Sequence, residues 1–450
     1  MRVYFDVMED AFIVNGGVPL IGEVELSGAK NVALKVLIAA LLFKTKVSFS
    51  NIPNIEDVTE LLHLLSLLGA TVTHENNRVT VDSSTLSHNE VDLLHGSKIR
   101  VSFMLFAPLL YRFGKAIIPN PGGCRLGARP IDRHIKMLES FGVSIKYNSE
   151  TGFYKARVED SIQGCTYRFE KPTHTGTELA ILMGTLAQGE SMIENAAQEP
   201  EIDDLIRFLN LSGAHITREN NHIHIISVKQ LNAPESEYHI MYDELEAATY
   251  GVFALATKGD IIVKHTVREH LRFFIEMVEK AGGGVEEKNG GIRFFYKGPL
   301  VATDVTTVPY PGFRTDWQAQ WALLMTQAEG ESTIHETIFE NKFGYVAELR
   351  KVGAKIDFFQ PNVSDIHKVY QFDVHGELNN PLTQAIRVHG PTQLHNGAMR
   401  VTDIRAGATV LIAASMASEE SVVTGASIID RGYEQIEKKL ERLGCKIRRV

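Results

Sequence analysis

The stretch LLHLLSLLGATVTHE, residues 61–75, shows the pattern that decides the fold. Its leucines recur at intervals of three and four residues, which predicts an amphipathic helix with one buried stripe. Gly69 follows the last leucine, where a helix end needs a residue in the left-handed conformation. The alternating residues after Gly69 predict a strand. A helix that ends in glycine and leads into a strand is therefore the unit to look for elsewhere.

This unit occurs six times in the chain. The other copies are IKMLESFGVSIKY (135–147), LIRFLNLSGAHITRE (205–219), FIEMVEKAGGGVEEK (274–288), VAELRKVGAKIDFF (346–359) and IEKKLERLGCKIRRV (436–450). Their helix-ending glycines are 69 to 73 residues apart, except for the last interval of 91 residues. The repetition predicts six structural units of about 70 residues, with an insertion in the last one.

A second type of helix alternates with the first. Its copies begin at SGAKNVALKVLIAALL (27), GSKIRVSFMLFAPLL (96), HTGTELAILMGTLA (174), YDELEAATYGVFALA (242), RTDWQAQWALLMTQA (314) and DIRAGATVLIAASMA (403). Since these helices are apolar almost all round, we expect them to be buried. We predict an α/β fold of two lobes with three units each, the first covering 29–240 and the second 1–28 plus 241–450. A single open α/β sheet is the alternative.

Composition limits the function. The 450 residues include 46 Lys and Arg against 55 Asp and Glu, a net charge of −9, which argues against a nucleic-acid partner. A small anionic substrate remains compatible, because a few arginines in a cleft can focus a positive field. The apolar run VLIAALLF (36–43) is far shorter than the ~20 residues of a bilayer span. With three widely spaced cysteines and no CxxC, a reducing cytoplasm is expected.

The buried helices have polar starts, which is unusual. These starts carry Lys30, Arg100, Thr175, Asp243, Asp316 and Arg405. If the helices run parallel, their N-termini gather at one end of each lobe, where free N–H groups favour anions. Each basic residue taken singly is better explained as a solvated helix cap, and only the joint pattern favours an anion site.

The loop PGGCRLGARP, residues 121–130, places Cys124 among glycines and arginines. Glycine pairs allow close backbone approach and movement, as a lid over a ligand requires. Arg125 and Arg129 would favour the thiolate of Cys124 and make it reactive. A small buried hydrophobe is the alternative, and it is our expectation for Cys165 and Cys445.

Other polar residues each allow a functional and a structural interpretation. Asp316 is a general base beside a substrate hydroxyl, or a helix N-cap. Asp403, Arg405 and Arg431 form a site for a carboxylate or phosphate, or a structural ion pair. His222 and His224 share one strand face without a third ligand nearby, so no metal site is expected.

Eight motifs together resemble the enolpyruvyl transferase family, over residues 12 to 450. They are SGAKN (27–31), PGGCRLGARPID (121–132), TGTE (175–178), ENAAQEPEI (194–202), TDWQAQ (315–320), FENKF (339–343), TDIRA (402–406) and DRGYE (430–434). The resemblance implies a two-domain inside-out α/β barrel that closes on its substrates. It also implies transfer of the enolpyruvyl group of phosphoenolpyruvate to the 3′-hydroxyl of UDP-N-acetylglucosamine, with release of phosphate. No cofactor, metal or membrane insertion is implied, and a monomer is expected.

The resemblance assigns roles to individual residues. The implied catalytic residues are Cys124, Asp316, Lys30, Asp403 and Arg405, with Cys124 as the acid and Asp316 as the base. Phosphoenolpyruvate contacts are implied for Lys30, Asn31, Arg129, Lys342 and Arg431. Contacts with the UDP-sugar are implied for Asn31, Arg100, Arg129, Pro130, Ile131, Asp132, Arg133, Lys171, Pro172, Thr173, His174, Asp316 and Ile338.

Three residues depart from the family pattern. Lys342 stands where arginine is usual, Glu244 replaces a cation, and Arg133 replaces an apolar residue. Such changes leave two other functions open. One is an enolpyruvyl transferase that acts on another nucleotide, such as a uridylate. The other is a catalytically silent paralogue that binds a UDP-sugar, against which the retention of Cys124 and Asp316 speaks.

Overall fold

The computed structural model describes residues 10–123, 130–372 and 383–450. These residues form two compact lobes. The first lobe comprises the described residues from 27 to 243. The second lobe comprises residues 10–26 together with the described residues from 244 to 450.

The apolar helices form the core of each lobe, as their composition predicted. They are Lys30–Ala39, Phe106–Phe113 and His174–Leu186 in the first lobe, and Glu244–Ala256, Gln318–Met325 and Ile404–Met416 in the second. Glu244–Ala256 is buried along its whole length. Short 3₁₀ helices, Arg100–Leu105 and Thr315–Trp317, lead into two of them. Among the described helices, none has both the length and the apolar character of a membrane span.

The amphipathic helices of the repeat are Glu56–Leu67, Asp132–Ser140, Pro200–Leu211, Arg272–Lys280, Tyr345–Lys351 and Ile436–Arg442. Each ends just before its repeat glycine. All six glycines have a positive φ, between 86° and 102°. An L-residue with a side chain would be strained there, so the predicted role of these glycines as helix ends is confirmed. Shorter helical segments are Ala40–Leu42, Leu93–Gly96, Arg268–Leu271, Ile366–Val369 and Ala426–Asp430.

Each lobe has three small sheets among its described residues. In the first lobe, one sheet has the strand order Tyr238–His239, Lys46–Ser50, Arg78–Asp82 and Thr71–Glu75. A second sheet has the order Lys115–Pro119, Phe153–Val158 and Val143–Asn148. The third has the order His215–Glu219, His222–Ile226, Glu190–Glu194 and Thr166–Arg168. In the second lobe, one sheet has the strand order Ala398–Arg400, Glu420–Thr424, Ala11–Asn15 and Lys446–Arg449. A second sheet has the order Gly284–Lys288, Gly291–Phe295, Asp260–Lys264 and Ile21–Glu25. The third has the order Leu300–Val301, Ala328–His335, Ala385–Gly390 and Lys355–Phe359, and Val305–Thr306 also pairs with Ala328–His335. Six separate sheets exclude the alternative of one open sheet. A hairpin follows each of the first five amphipathic helices, whereas the last is followed by the single strand Lys446–Arg449, which pairs with Ala11–Asn15.

The insertion predicted in the last repeat interval lies within a hairpin. Strands Lys355–Phe359 and Ala385–Gly390 pair in antiparallel register, although residues 360–384 separate them. In the first unit, by contrast, only Asn76 and Asn77 join Thr71–Glu75 to Arg78–Asp82. Both asparagines have a positive φ, as a two-residue hairpin turn requires. The extra residues therefore lie between two paired strands, whose pairing keeps the repeated pattern.

Candidate active site

Lys30 is the first residue of a central helix in the first lobe, and acidic groups hold it there. Its Nζ lies 2.6 Å from a carboxylate oxygen of Asp57. Its backbone N–H donates to a carboxylate oxygen of Asp243 at 3.3 Å. The neighbouring Asn31 donates its side-chain amide to Glu201 at 3.3 Å. The predicted pair of ligand contacts, Lys30 and Asn31, is thus fixed at a helix N-terminus by charge-assisted hydrogen bonds.

A buried ion-pair cluster joins this helix to the helix that starts at His174. Glu178 has no exposed side-chain surface, and its carboxylate lies 3.2 Å from Lys35 Nζ and 3.3 Å from His174 Nε2. Burial by itself lowers the pKa of His174, but the negative charges of Glu178 and Glu199 outweigh that effect and raise it. His174 at the start of its helix is therefore more readily protonated than a free imidazole. Removing one partner of such a buried pair costs about 3–5 kcal/mol.

The structure brings the predicted runs 130–133 and 171–174 together. His134 Nε2 lies 2.9 Å from Thr175 Oγ1, and the hydroxyl of Tyr167 donates to the carbonyl oxygen of Arg133 at 3.3 Å. Burial lowers the pKa of His134 to about 3, and the positive charges of Arg100 and Arg133 act in the same direction. Arg100, Arg133 and the start of the His174 helix therefore surround one buried, neutral imidazole.

This histidine predicts acid lability. Below pH 6.5 the unfolded chain binds a proton at His134, whereas the folded chain does not until the pH approaches 3. The free energy of unfolding should then fall by about 1.4 kcal/mol per pH unit below 6.5. His134→Gln, which can still reach Thr175, should remove this part of the slope when unfolding is followed from pH 7.5 to 5. His222→Gln on an exposed strand position is the control. An equal pH dependence of the free energy of unfolding in wild type and His134→Gln would refute a buried, neutral His134.

Two glycines shape the segment before Cys124. A Cβ on Gly122 would lie 1.6 Å from the carbonyl oxygen of Ser97, so only glycine fits. Gly123 has a φ of 105°, and a Cβ there would lie 3.2 Å from the Cβ of Arg100. The segment therefore packs against Arg100, another predicted contact. Cys124 and Arg129, to which we assigned catalysis and binding, lie outside the described residues.

In the second lobe, Asp316 lies in the 3₁₀ helix Thr315–Trp317 at the start of a buried helix. Arg405 Nε lies 3.4 Å from its carboxylate, of which a third is exposed. Burial alone would raise the pKa of Asp316, but the positive charges of Arg405, Lys342 and Arg314 bring it below 3.8. Asp316 is therefore ionised at neutral pH and accessible to a ligand, as a general base must be.

Asp403 and Arg405 have different roles in the structure. The carboxylate of Asp403 accepts the backbone N–H groups of Arg405 and Ala406, both at 3.0 Å, and so caps the helix Ile404–Met416. The guanidinium of Arg405 lies 5.2 Å from the ring centroid of Tyr433. Tyr433 in turn shares a hydrogen bond of 2.9 Å with Thr249. Asp403 thus orients Arg405, and Arg405 pairs with Asp316.

Two departures from the family pattern also lie near Asp316. Lys342 is 3 % exposed, and its charge acts directly on Asp316. Glu244 is buried and forms an ion pair with Arg314, two residues before Asp316. Arg431 directly follows the helix Ala426–Asp430. The negative charge of Glu244 is therefore paired with Arg314 near Asp316.

Sequence reasoning missed the supporting charges in both lobes. These are Lys35, Asp57, Glu178, Arg314 and Glu336. Lys35 had a visible signal, since it interrupts the apolar run NVALKVLIAALL. Arg314 also had a visible signal, since it lies two residues before Asp316 in the sequence. The partners of both lie far away in sequence, so no local pattern identified them.

Cys445 is buried, as expected, whereas Cys165 is only partly buried. Burial raises the pKa of both Cys165 and Cys445, which leaves them poor nucleophiles. His224 pairs with Glu190 at 2.9 Å on the outer side of its sheet. No group of three or more His, Cys, Asp or Glu side chains is arranged to hold a metal ion within residues 10–123, 130–372 and 383–450.

The chain resembles known proteins in sequence and in fold. Residues 14–440 match the family described as EPSP synthase (3-phosphoshikimate 1-carboxyvinyltransferase). The chain is 39 % identical to the UDP-N-acetylglucosamine 1-carboxyvinyltransferase of Idiomarina loihiensis, over 98 % of this chain and 99 % of that one. It is 35 % identical to UDP-N-acetylglucosamine 1-carboxyvinyltransferase 1 of Staphylococcus aureus, with the same coverage of 98 % and 99 %.

Solved structures show the same fold. The enolpyruvyl transferase NikO from Streptomyces tendae superposes with a TM-score of 0.83 at 22 % identity, over 98 % of this chain and 99 % of that one. An EPSP synthase from Acinetobacter baumannii gives 0.71 at 15 % identity, over 98 % and 100 %. The predicted enolpyruvyl transferase fold of six repeated units is confirmed. The chain is a transferase and belongs to the UDP-N-acetylglucosamine 1-carboxyvinyltransferase family.

Proposed function

We propose that this enzyme transfers the enolpyruvyl group of phosphoenolpyruvate to the 3′-hydroxyl of UDP-N-acetylglucosamine and releases phosphate. The names of its relatives support these substrates. One observation in the structure carries the proposal: Asp316 is an ionised, accessible carboxylate at a helix start, held by Arg405 and flanked by Lys342. Such a carboxylate is suited to accept the proton of an attacking hydroxyl.

The chemistry is an addition followed by an elimination. Asp316 accepts the proton of the sugar hydroxyl while the hydroxyl oxygen bonds to C2 of phosphoenolpyruvate. The thiol of Cys124 donates a proton to the C3 methylene. The resulting tetrahedral intermediate loses phosphate, which departs from C2 with the C–O bonding electrons, and the Cys124 thiolate takes back a proton from C3, so that the double bond is restored. Preorganised cations stabilise the anionic phosphate beside a developing positive centre better than water does.

Both substrates are anions, and the residues we assign to them include several lysines and arginines. For phosphoenolpyruvate the assigned contacts are Lys30, Asn31, Arg129, Lys342 and Arg431. For the UDP-sugar they are Asn31, Arg100, Arg129, 130–133, 171–174, Asp316 and Ile338. The raised pKa of His174 and the position of Arg100 near Arg133 support this assignment for the diphosphate. We place the reaction at the first committed step of peptidoglycan synthesis, in the cytoplasm, with the enzyme as a monomer.

Phosphate release tests the proposal. The enzyme is incubated with phosphoenolpyruvate and either UDP-N-acetylglucosamine or a uridylate. We expect phosphate with the UDP-sugar, together with a product that gains the mass of an enolpyruvyl group. Turnover with the uridylate alone would assign the enzyme to another acceptor. No turnover with either acceptor would leave only ligand binding.

The acid role of Cys124 predicts a selective effect of Cys124→Asp. Because a carboxylic acid also donates a proton, turnover should stay within about tenfold of wild type. Fosfomycin, an epoxide mimic of phosphoenolpyruvate, should alkylate the wild-type thiol and should no longer inhibit the variant. Intact-protein mass spectrometry in the presence of the UDP-sugar measures the adduct. Cys165→Ser is the matched control and should keep it. An inactive Cys124→Asp would contradict the acid role.

A further inference from the structure

Glu336 is a buried carboxylate with three defined hydrogen-bond donors. It directly follows the strand Ala328–His335 and has no exposed surface. One carboxylate oxygen accepts the backbone N–H groups of Ile338 at 2.8 Å and Phe339 at 3.0 Å. The other accepts the hydroxyl of Thr315 at 2.9 Å. A buried carboxylate is costly unless it is paired in this way, so its contacts are expected to be held strongly.

The donors belong to two segments that carry assigned site residues. Thr315 is the residue before Asp316 and begins the same 3₁₀ helix. Ile338 and Phe339 begin the segment that continues to Lys342, and Ile338 is itself an assigned contact. One carboxylate therefore ties the segment of the base to the segment of two ligand contacts.

Charge couples the same two segments. Burial raises the pKa of Glu336, and the positive charge of Lys342 opposes that rise. The charge of Lys342 also lowers the pKa of Asp316. Lys342 is almost fully buried, so water screens its charge less than it screens the charge of a surface lysine.

We propose that Glu336 is a positioning residue for the transfer reaction: through Thr315 it orients Asp316, and through Ile338 and Phe339 it holds the segment that carries Lys342. The inference rests on the proposed function for its catalytic consequence. Glu336 itself is buried and contacts neither substrate in this scheme. Its effect on the reaction passes through the two segments that it joins.

Four variants separate the two connections. Thr315→Val removes only the connection to Asp316 and should lower kcat about tenfold, with the KM for UDP-N-acetylglucosamine within about twofold. Thr315→Ser restores the hydroxyl and should restore kcat. Glu336→Ala removes both connections and should lower kcat on the order of 100-fold while raising that KM. Glu336→Gln can accept both N–H groups and donate to Thr315, so its kcat should stay within about tenfold of wild type.

Amide hydrogen exchange provides a readout that does not depend on turnover. The amides of Ile338 and Phe339 should lose protection in Glu336→Ala and keep it in Thr315→Val. Unchanged protection in Glu336→Ala, or a kcat at the wild-type level in both Thr315→Val and Glu336→Ala, would overturn the inference. Should Glu336→Ala fail to fold, the Thr315→Val and Thr315→Ser pair decides it. A wild-type enzyme without turnover would instead refute the proposed function.

Discussion

Asp316→Asn is expected to lower kcat on the order of 10³-fold, because an amide cannot accept the proton of the sugar hydroxyl. The substitution keeps the size of the side chain. The pKa of Asp316 lies below its ordinary value of 3.8, so the wild-type carboxylate is ionised throughout the range from pH 5 to 9. The rate difference should therefore be nearly constant over that range. Steady-state phosphate release at several pH values measures it.

The control for this prediction is Asp357→Asn. Asp357 lies on the strand Lys355–Phe359 with most of its side chain exposed. We expect wild-type turnover from this variant. Thermal unfolding of Asp316→Asn should also be measured, since Arg405 loses its contact with the carboxylate of Asp316. A kcat within tenfold of wild type for a folded Asp316→Asn would show that another group accepts the proton.

Lys30→Met is expected to raise the KM for phosphoenolpyruvate on the order of 100-fold, because a charged donor to a small polyanion is lost. Methionine retains much of the side-chain length. The dissociation constant of UDP-N-acetylglucosamine should change little, since the first contact of that ligand in this segment is Asn31. Some loss of stability is also expected, because Asp57 keeps its charge without the ammonium group 2.6 Å away.

Lys46→Met provides the comparison for Lys30→Met. Lys46 is an exposed residue of the strand Lys46–Ser50, so its charge should not affect either substrate. Initial rates at varied phosphoenolpyruvate concentration, with the UDP-sugar saturating, give the KM for phosphoenolpyruvate of both variants. An unchanged KM for phosphoenolpyruvate in folded Lys30→Met would remove Lys30 from the assigned ligand contacts.

Local patterns were sufficient to predict the helices and their ends. Burial of a helix depends on which of its faces are apolar, and this can be read from residues three and four apart. The positive φ of Gly69, Gly142 and the four later glycines follows from a short-range steric rule. The division into six small sheets was also implicit in the repetition of one unit.

Roles that depend on a partner were less accessible. Asp403 and Arg405 are two residues apart, and their spacing suggested a charge pair. In the structure Asp403 caps its helix, whereas Arg405 contacts Asp316, 89 residues away. The capping geometry is local, but the choice of partner for Arg405 depends on the packing of two central helices.

By itself, the sequence determined the repeated unit, the buried helices and the helix-ending glycines, because each depends on neighbours within a few residues. Only the tertiary structure decided which charges meet. Lys35 and Glu178 are separated by 143 residues, and Arg314 and Glu244 by 70. In a buried environment the energy of a charge depends on what lies within a few ångströms, and that distance is set by how the units pack.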